Sequence, residues 1–177
     1  MSENVIIVNC KVPSEAYRIL SMLRQNINND NFAISQAAVV KKDGGKLSLE
    51  DAFMVDDPAE NLSQTGGLIG SLVGILGGSM GVLLGSSIGS LIGRSMDEMA
   101  SEDKITLLEK AGEFLMDGQT ALLLMAEEED ESALPAKLKD FQISLTRMDA
   151  AAVASEIEYA KNQELPKEEA GNSAAYF

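Results

Sequence analysis

Glycine spacing in one uncharged segment is the feature that most restricts how this chain of 177 residues can fold. The segment from Leu62 to Gly93 contains no charged residue and ten of the chain's 15 glycines. Residues four apart lie on the same side of an α-helix, so a four-residue glycine period lines one helical face with the smallest residue. Two such series predict two helices, one with Gly66, Gly70 and Gly74 and one with Gly77, Gly81, Gly85, Gly89 and Gly93.

These predicted helices need a packing partner because glycine is a poor helix former. Each glycine costs a helix up to about 1 kcal/mol relative to alanine, or roughly 8 to 10 kcal/mol for all ten. Close approach of two helix backbones along their glycine faces offsets that cost through dispersion contacts and weak Cα–H hydrogen bonds. The predicted contact residues, with either another subunit or lipid, are Gly66, Gly70, Gly74, Gly77, Gly81, Gly85, Gly89, Gly93, Leu72, Leu76, Leu84 and Ile88.

Helix length indicates whether this segment can span a membrane. One helix from Leu62 to Gly93 would be about 48 Å long, well beyond a hydrocarbon core of ~30 Å. A break at Gly77-Gly78 gives two helices of roughly 16 to 24 Å each, too short to span comfortably. We therefore predict a helical hairpin that packs on partner subunits or dips partly into a bilayer. The alternative is a hairpin that folds against its own domain.

The residues before the glycine-rich segment predict a βαββ order. Asn4 to Cys10 is a β-branched strand, and Ser14 is the predicted N-cap of the following helix. Phe32 to Lys42 is the next strand and Lys46 to Val55 its hairpin partner, because Asp43-Gly44-Gly45 can adopt the positive φ of a tight turn. Polar and apolar residues alternate in that partner, which predicts a sheet with one face in solvent. The apolar stripe of the helix is Ala16, Leu20, Leu23 and Ile27.

The same alternation of helix and strand resumes after the segment. Ser101 is the predicted cap of a helix with an apolar stripe at Ile105, Leu108, Ala111 and Leu115. Thr120 to Ala126 is a continuous apolar run, typical of a central strand covered on both faces. Without the inserted hairpin the order is βαββαβ, so the predicted fold is an α+β, ferredoxin-like sheet.

Further elements are predicted at the C-terminal end of the chain. Ala133 to Phe141 is a predicted short helix, Ile143 to Thr146 a predicted edge strand, and Asp149 the cap of a last helix. The domain boundaries follow: residues 1–60 and 100–148 form the two parts of the ferredoxin-like domain, 61–99 the hairpin, and 149–177 a C-terminal helix and polar tail.

Composition argues against several classes of function. The formal charge of −14 repels the phosphate backbone, so no nucleic-acid partner is expected. The chain has no histidine and a single cysteine, Cys10, which we interpret as a core residue, so no catalytic, metal or cofactor site is predicted. The acidic run Glu127 to Glu131 lacks the spacing of a calcium loop and is interpreted as a solvated charge run. The first residues lack a basic, apolar leader, which predicts a cytoplasmic start.

Several stretches of the chain resemble bacterial and archaeal proteins of domain-of-unknown-function family 1269, often described as predicted membrane proteins. The resemblance covers roughly Val5 to Met148 and is carried by VIIVNC, SEAYRILSMLRQN, AISQAAVVKKDGGKLSLED, the glycine-rich segment and KAGEFLMDGQTALLLMAEEE. It implies a ferredoxin-like sheet with an inserted glycine-rich hairpin and no established catalytic residues. The family description supplies no mechanism.

Two functional hypotheses follow from the glycine pattern. The first is a non-enzymatic, cytoplasmic protein that self-assembles into a homo-oligomer through its glycine-zipper hairpin. The second is a membrane-associated stress or sensor module, whose hairpin enters the lipid at the inner face of the cell membrane. A small-ligand binder or enzyme on the open face of the sheet is a third hypothesis, supported only by analogy between folds.

Overall fold

The computed structural model describes residues 2–26, 28–29, 31–55, 67–77 and 106–161. Its described part is an antiparallel sheet with helices on both faces, which confirms the predicted α+β class. Ser101, Ile105 and the whole second glycine series after Gly77 lie outside the described residues, so the predictions made for them stay predictions.

Six strands and five helices are present among the described residues. The strands are β1 Ser2–Cys10, β2 Asn28–Asn29, β3 Phe32–Asp43, β4 Lys46–Met54, β5 Thr120–Glu128 and β6 Ile143–Asp149. The helices are α1 Pro13–Gln25, α2 Gly67–Gly77, α3 Thr106–Phe114, α4 Ala133–Lys137 and α5, residues 150–161.

The order of the long strands across the sheet is β4-β3-β5-β1-β6, and the two-residue β2 pairs with the start of β3. β5 lies between β1 and β3 and is antiparallel to both, while β1 lies in the same way between β5 and β6. The predictions of a hairpin between β3 and β4, of a central β5 and of an edge strand β6 are confirmed. The sequence analysis predicted β4 as the third strand of the βαββαβ unit. In the structure β4 instead lies at the edge of the sheet, beside β3.

Helices cover both faces of the sheet, so the prediction of one solvent-exposed face is wrong. On one face α1 and α4 pack over the even-numbered core residues of β1, such as Ile6 and Val8. On the other face α2, α3 and α5 pack over the odd-numbered residues, such as Val5 and Ile7. The polar alternation in β4 belongs to that edge strand alone, and the four inner apolar residues of β1 are fully buried.

Two of the three predictions for turns and helix ends are confirmed. Gly44 and Gly45 have φ of 60° and 78°, as the predicted tight turn requires. Asp149 Oδ1 accepts the N–H of Ala152 at 2.8 Å, which confirms the cap of α5. The Ser14 cap is wrong: α1 begins at Pro13, whose fixed φ suits the first helical position, after an extended Val12.

Candidate assembly surface

α2 is the described part of the glycine-rich segment, and it packs against its own sheet. Ile69, Leu72, Val73 and Leu76 follow a three-four spacing that places them on one side of the helix. With Ile75 they are buried in the core that contains Val40, Leu47 and Leu123. Such burial stabilises the fold by roughly 1.5 to 3 kcal/mol per large apolar side chain.

The N-terminal end of α2 is fixed by a side chain of β3. Gln36 Oε1 accepts the N–H of Ile69 at 3.0 Å, which satisfies one of the free donors of the first helical turn. Gln36 Nε2 lies 3.4 Å from Met125 Sδ on β5, so the amide is held from both ends. Gly67 has a φ of 53°, and a Cβ there would lie 2.6 Å from the Gln36 side chain. Glycine at position 67 is therefore required by the chain's own packing.

The C-terminal end of α2 makes an equally close approach to β4. A Cβ at Gly77 would overlap the carbonyl oxygen of Leu47, and that backbone atom cannot turn aside as a flexible side chain can. A residue with a side chain would push the end of the helix away from the strand.

The two middle glycines of α2 have no such neighbours. A Cβ added at Gly70 or at Gly74 would have no described heavy atom within 4 Å. Gly74 is exposed and Gly70 is partly exposed. Since an alanine would fit at either position and favour the helix by up to about 1 kcal/mol, contacts among the described residues do not account for these two glycines. We name Gly70 and Gly74 the glycine face.

Two different surfaces border the glycine face. On the β4 side Leu49 is 48% exposed and lines a shallow apolar pocket with Gly70 and Val73. On the α5 side lies an open cleft of about 420 Å³. The cleft is lined by Gly67, Leu68, Ser71, Ala154, Ile157, Glu158 and Lys161. Lys161 Nζ lies 3.3 Å from Ser71 Oγ and links α5 to α2 across this cleft.

The neighbouring helix α3 is held at both ends by side chains from distant parts of the chain. The buried carboxylate of Glu156, on α5, accepts the N–H groups of Leu107 and Leu108 at 3.0 and 2.9 Å. At the other end Lys42 Nζ donates to Gly112 O at 2.8 Å, and Asn9 Nδ2 donates to Phe114 O at 2.6 Å. An anion at the N-terminus and a cation at the C-terminus both complement the helix dipole. The helical layer beside α2 is therefore rigidly anchored.

The buried carboxylate of Glu128 has structural partners elsewhere among the described residues. Glu128 is fully buried and binds Arg147 through two hydrogen bonds of 2.8 and 2.9 Å, while Asn4 Nδ2 donates to the same carboxylate at 3.1 Å. The hydrogen bonds to Glu128 raise the pKa of Arg147. The interpretation of residues 127–131 as solvated is thus wrong at position 128, because β5 extends further than the apolar run and turns Glu128 inward.

Cys10 lies in the core, and the acidic residues of the described chain form no candidate metal cluster. Cys10 is 1% exposed, and burial, reinforced by the charge of Glu15, raises the pKa of its thiol to about 11. Since the thiolate is the reactive form, this thiol is poorly reactive near neutral pH, in agreement with its interpretation as a core residue. No group of three or more candidate metal ligands occurs among the described residues.

The predicted contact residues that the structure describes divide into two sets. Leu72 and Leu76 lie in the chain's own core, 0% and 3% exposed, and Gly77 contacts β4. Gly70 is partly exposed and Gly74 is exposed. Gly66, Gly81, Leu84, Gly85, Ile88, Gly89 and Gly93 lie outside the described residues. The sequence analysis did not predict that Gln36 and Glu156 would bind the ends of helices. For Gln36 the available signal was a glutamine within an apolar strand.

Comparisons with family models, with curated proteins and with solved structures found no match to this chain. Within the described residues, no helix has the length and apolar character needed to cross a membrane.

Proposed function

We propose that this chain is a non-enzymatic self-assembling protein, in which the glycine face of α2 packs against the glycine-rich segment of a second copy. One observation supports it above all: a Cβ at Gly70 or Gly74 would meet no described heavy atom within 4 Å, so the described fold has room for larger residues at both positions. Glycines four apart on an outward helix face permit the close backbone approach that small-residue helix pairs use.

The surroundings of the glycine face fit a protein partner better than lipid. The large apolar residues of α2 are used inside the chain, and its outward side carries Gly70, Ser71 and Gly74. A helix that dips into a bilayer needs large apolar side chains on its lipid side. The alternative function, a membrane-associated sensor or stress module, thus has less support from α2.

We also propose a ferredoxin-like core for this protein. Its strands would be β1, β3, β5 and β6, with α1 and α4 as the two crossover helices. The order β3-β5-β1-β6 supports this, since two parallel strand pairs are each separated by an antiparallel strand. β4, α2 and α3 would then belong to one insertion between β3 and β5, which also fits the resemblance to family 1269.

The proposed assembly is tested by enlarging the glycine face. Gly70→Leu with Gly74→Leu should reduce the mass of the purified protein, measured by size-exclusion chromatography with light scattering, because leucine separates the two backbones. Leucine is a good helix former, so the folded subunit should persist, and its circular dichroism should match that of the wild type.

Gly70→Ala with Gly74→Ala is the matched control. It also removes both glycines but keeps the small-residue pattern, so the assembly should be retained. A Leu variant with the full mass of the wild type would refute packing through this face, as would a wild-type protein that is a monomer at all concentrations.

A further inference from the structure

The two edges of the sheet differ in their protection against pairing with another strand. At the β4 edge the register with β3 shifts between Val39 and Val40, which leaves Glu50 as a bulged residue. Lys46, Glu50 and Asp51 are also exposed there. Bulges and charged side chains are the usual means by which edge strands avoid intermolecular pairing.

The β6 edge has no such bulge within its described length, and its one exposed charged residue is Asp149, the last of the strand. β6 pairs with β1 residue for residue from Ile143 to Asp149, without a register shift. It contains no proline and no lysine. Its cation, Arg147, is turned toward the buried Glu128. A straight strand of this kind presents a regular row of backbone donors and acceptors to whatever lies beside it.

The hydrogen bonds at the end of β1 show which residues of β6 form that row. Lys11 N–H donates to Gln142 O at 3.1 Å, so these two residues are a hydrogen-bonded antiparallel pair. Such pairs alternate with non-bonded pairs along a ladder. The even-numbered residues 144–148 therefore direct their N–H and C=O groups toward β1. Gln142 directs only its C=O there, because its N–H donates to Glu15 Oε2 at 3.1 Å. The odd-numbered residues of β6 direct theirs to the outer edge, where no described residue pairs with them.

We propose that β6 is an intermolecular strand-pairing site whose partner is β6 of a second copy of this chain, antiparallel about a two-fold axis. This pairing uses neither the glycine face nor any residue of α2, so it does not depend on the proposed function.

Side-chain chemistry favours one register for the two copies. An axis at Arg147 would place two guanidinium groups directly opposite each other, and an axis at Thr146 would place Ile143 opposite Asp149. An axis at Leu145 pairs the two leucines with each other. It also places Ser144 opposite Thr146, and pairs of hydroxyl side chains and of apolar side chains both stabilise antiparallel strands. This register also places Ile143 opposite Arg147, whose guanidinium group is directed toward Glu128. β6 is therefore complementary to itself over its three central residues, Ser144 to Thr146.

The two-fold β6 contact has a consequence for the assembly. β6 pairing alone yields a closed dimer, whereas β6 pairing together with a separate contact at the glycine face links dimers into larger rings or open chains.

The register is tested with charged pairs on the exposed side of β6. Ser144→Lys with Thr146→Lys places like charges opposite each other at two points and should raise the dissociation constant of the β6 contact by roughly tenfold or more. Ser144→Glu with Thr146→Lys changes the same positions but places opposite charges face to face, so association should be preserved. Light scattering over a range of concentrations reports both variants. Equal association of the two would overturn the proposed register.

Disulfide formation tests the pairing itself. Leu145→Cys would bring two thiols together at the two-fold axis, where Cα atoms of a hydrogen-bonded pair lie about 5.5 Å apart, a spacing that suits a disulfide. Under mild oxidation it should form a covalent dimer on a non-reducing gel. Leu49→Cys, on the β4 edge, is the matched control and should remain monomeric on the gel; the buried Cys10 should not interfere.

Cross-linking also distinguishes β6 pairing from packing through the glycine face. Leu145→Cys should still form the covalent dimer when Gly70 and Gly74 are both changed to leucine. A dimer band equal to that of Leu49→Cys would exclude β6 pairing, and it would leave the glycine face to be judged by its own variants.

Discussion

The four described glycines of α2 occupy two kinds of environment. Gly67 and Gly77, near the ends, are held against β3 and β4 so closely that a Cβ at either would overlap a neighbour. Gly70, in part, and Gly74 are exposed in the middle of the helix, with room for a side chain at either position. Position in a repeat therefore does not reveal a glycine's role. End glycines let the helix approach its own sheet, and we attribute the middle ones to a contact with another molecule.

The largest expected change in the free energy of unfolding comes from the side of α2 that packs on the sheet. Leu72→Ala should lower the free energy of unfolding by about 2 to 5 kcal/mol, because it leaves a cavity in a core where Leu72 is fully buried. Urea denaturation followed by circular dichroism would measure it. Leu68→Ala, at a partly buried position, is the control and should cost less than half as much. A loss below ~1 kcal/mol at Leu72 would contradict the packing of α2 on the sheet.

An intermediate effect is expected at the C-terminal glycine. Gly77→Ala should destabilise the protein by about 1 to 3 kcal/mol, because the methyl group meets the backbone of Leu47 and forces the helix end outward. The same denaturation experiment reports the change. If Gly77→Ala proved stabilising, the close approach of α2 to β4 would be wrong.

The smallest effect, of opposite sign, is expected at the glycine face. Gly70→Ala and Gly74→Ala should each raise the unfolding free energy by up to about 1 kcal/mol, through better helix propensity and a less flexible unfolded chain. Thermal denaturation at low concentration, where assembly is weakest, is the suitable measurement. Destabilisation at both positions would mean that Gly70 and Gly74 are as closely packed as Gly67 and Gly77. The proposed difference between middle and end glycines would then be wrong.

Local signals in the sequence were sufficient for most elements of the fold. The strand periods, the Asp43-Gly44-Gly45 turn and the Asp149 cap all act over a few residues, so they can be recognised without knowledge of the partners. The stripe of Leu108, Ala111 and Leu115 likewise marked the buried side of α3 and the following turn.

Strand order was harder to predict because the central strands carry no directional signal. Val5 to Val8 are buried on both faces, so nothing in β1 distinguishes β5 and β6 from β3 or β4 as its neighbours. Contacts such as Glu156 with Leu107 join residues 49 positions apart, and only the folded chain reveals them.

The candidate site was only partly predictable for a similar reason. α2 carries apolar residues on several sides, including Leu68, Ile69 and Ile75, so its sequence does not indicate which side meets the sheet. The four-residue glycine period selected Gly70 and Gly74, which have room for a side chain among the described residues, and their role as contacts stays a prediction. The predicted contacts also included Leu72 and Leu76, although both belong to the core.

The placement of β1 between β5 and β6 has a consequence for synthesis. Val8 pairs with Leu122 on one side and with Leu145 on the other, so β1 is synthesised well before either of its neighbours. At about 5 to 20 residues per second, more than 100 residues of further synthesis take roughly 5 to 20 s. During that interval the apolar residues Val5 to Val8, which are fully buried in the folded protein, have neither neighbouring strand, so we expect chaperones to bind the incomplete chain.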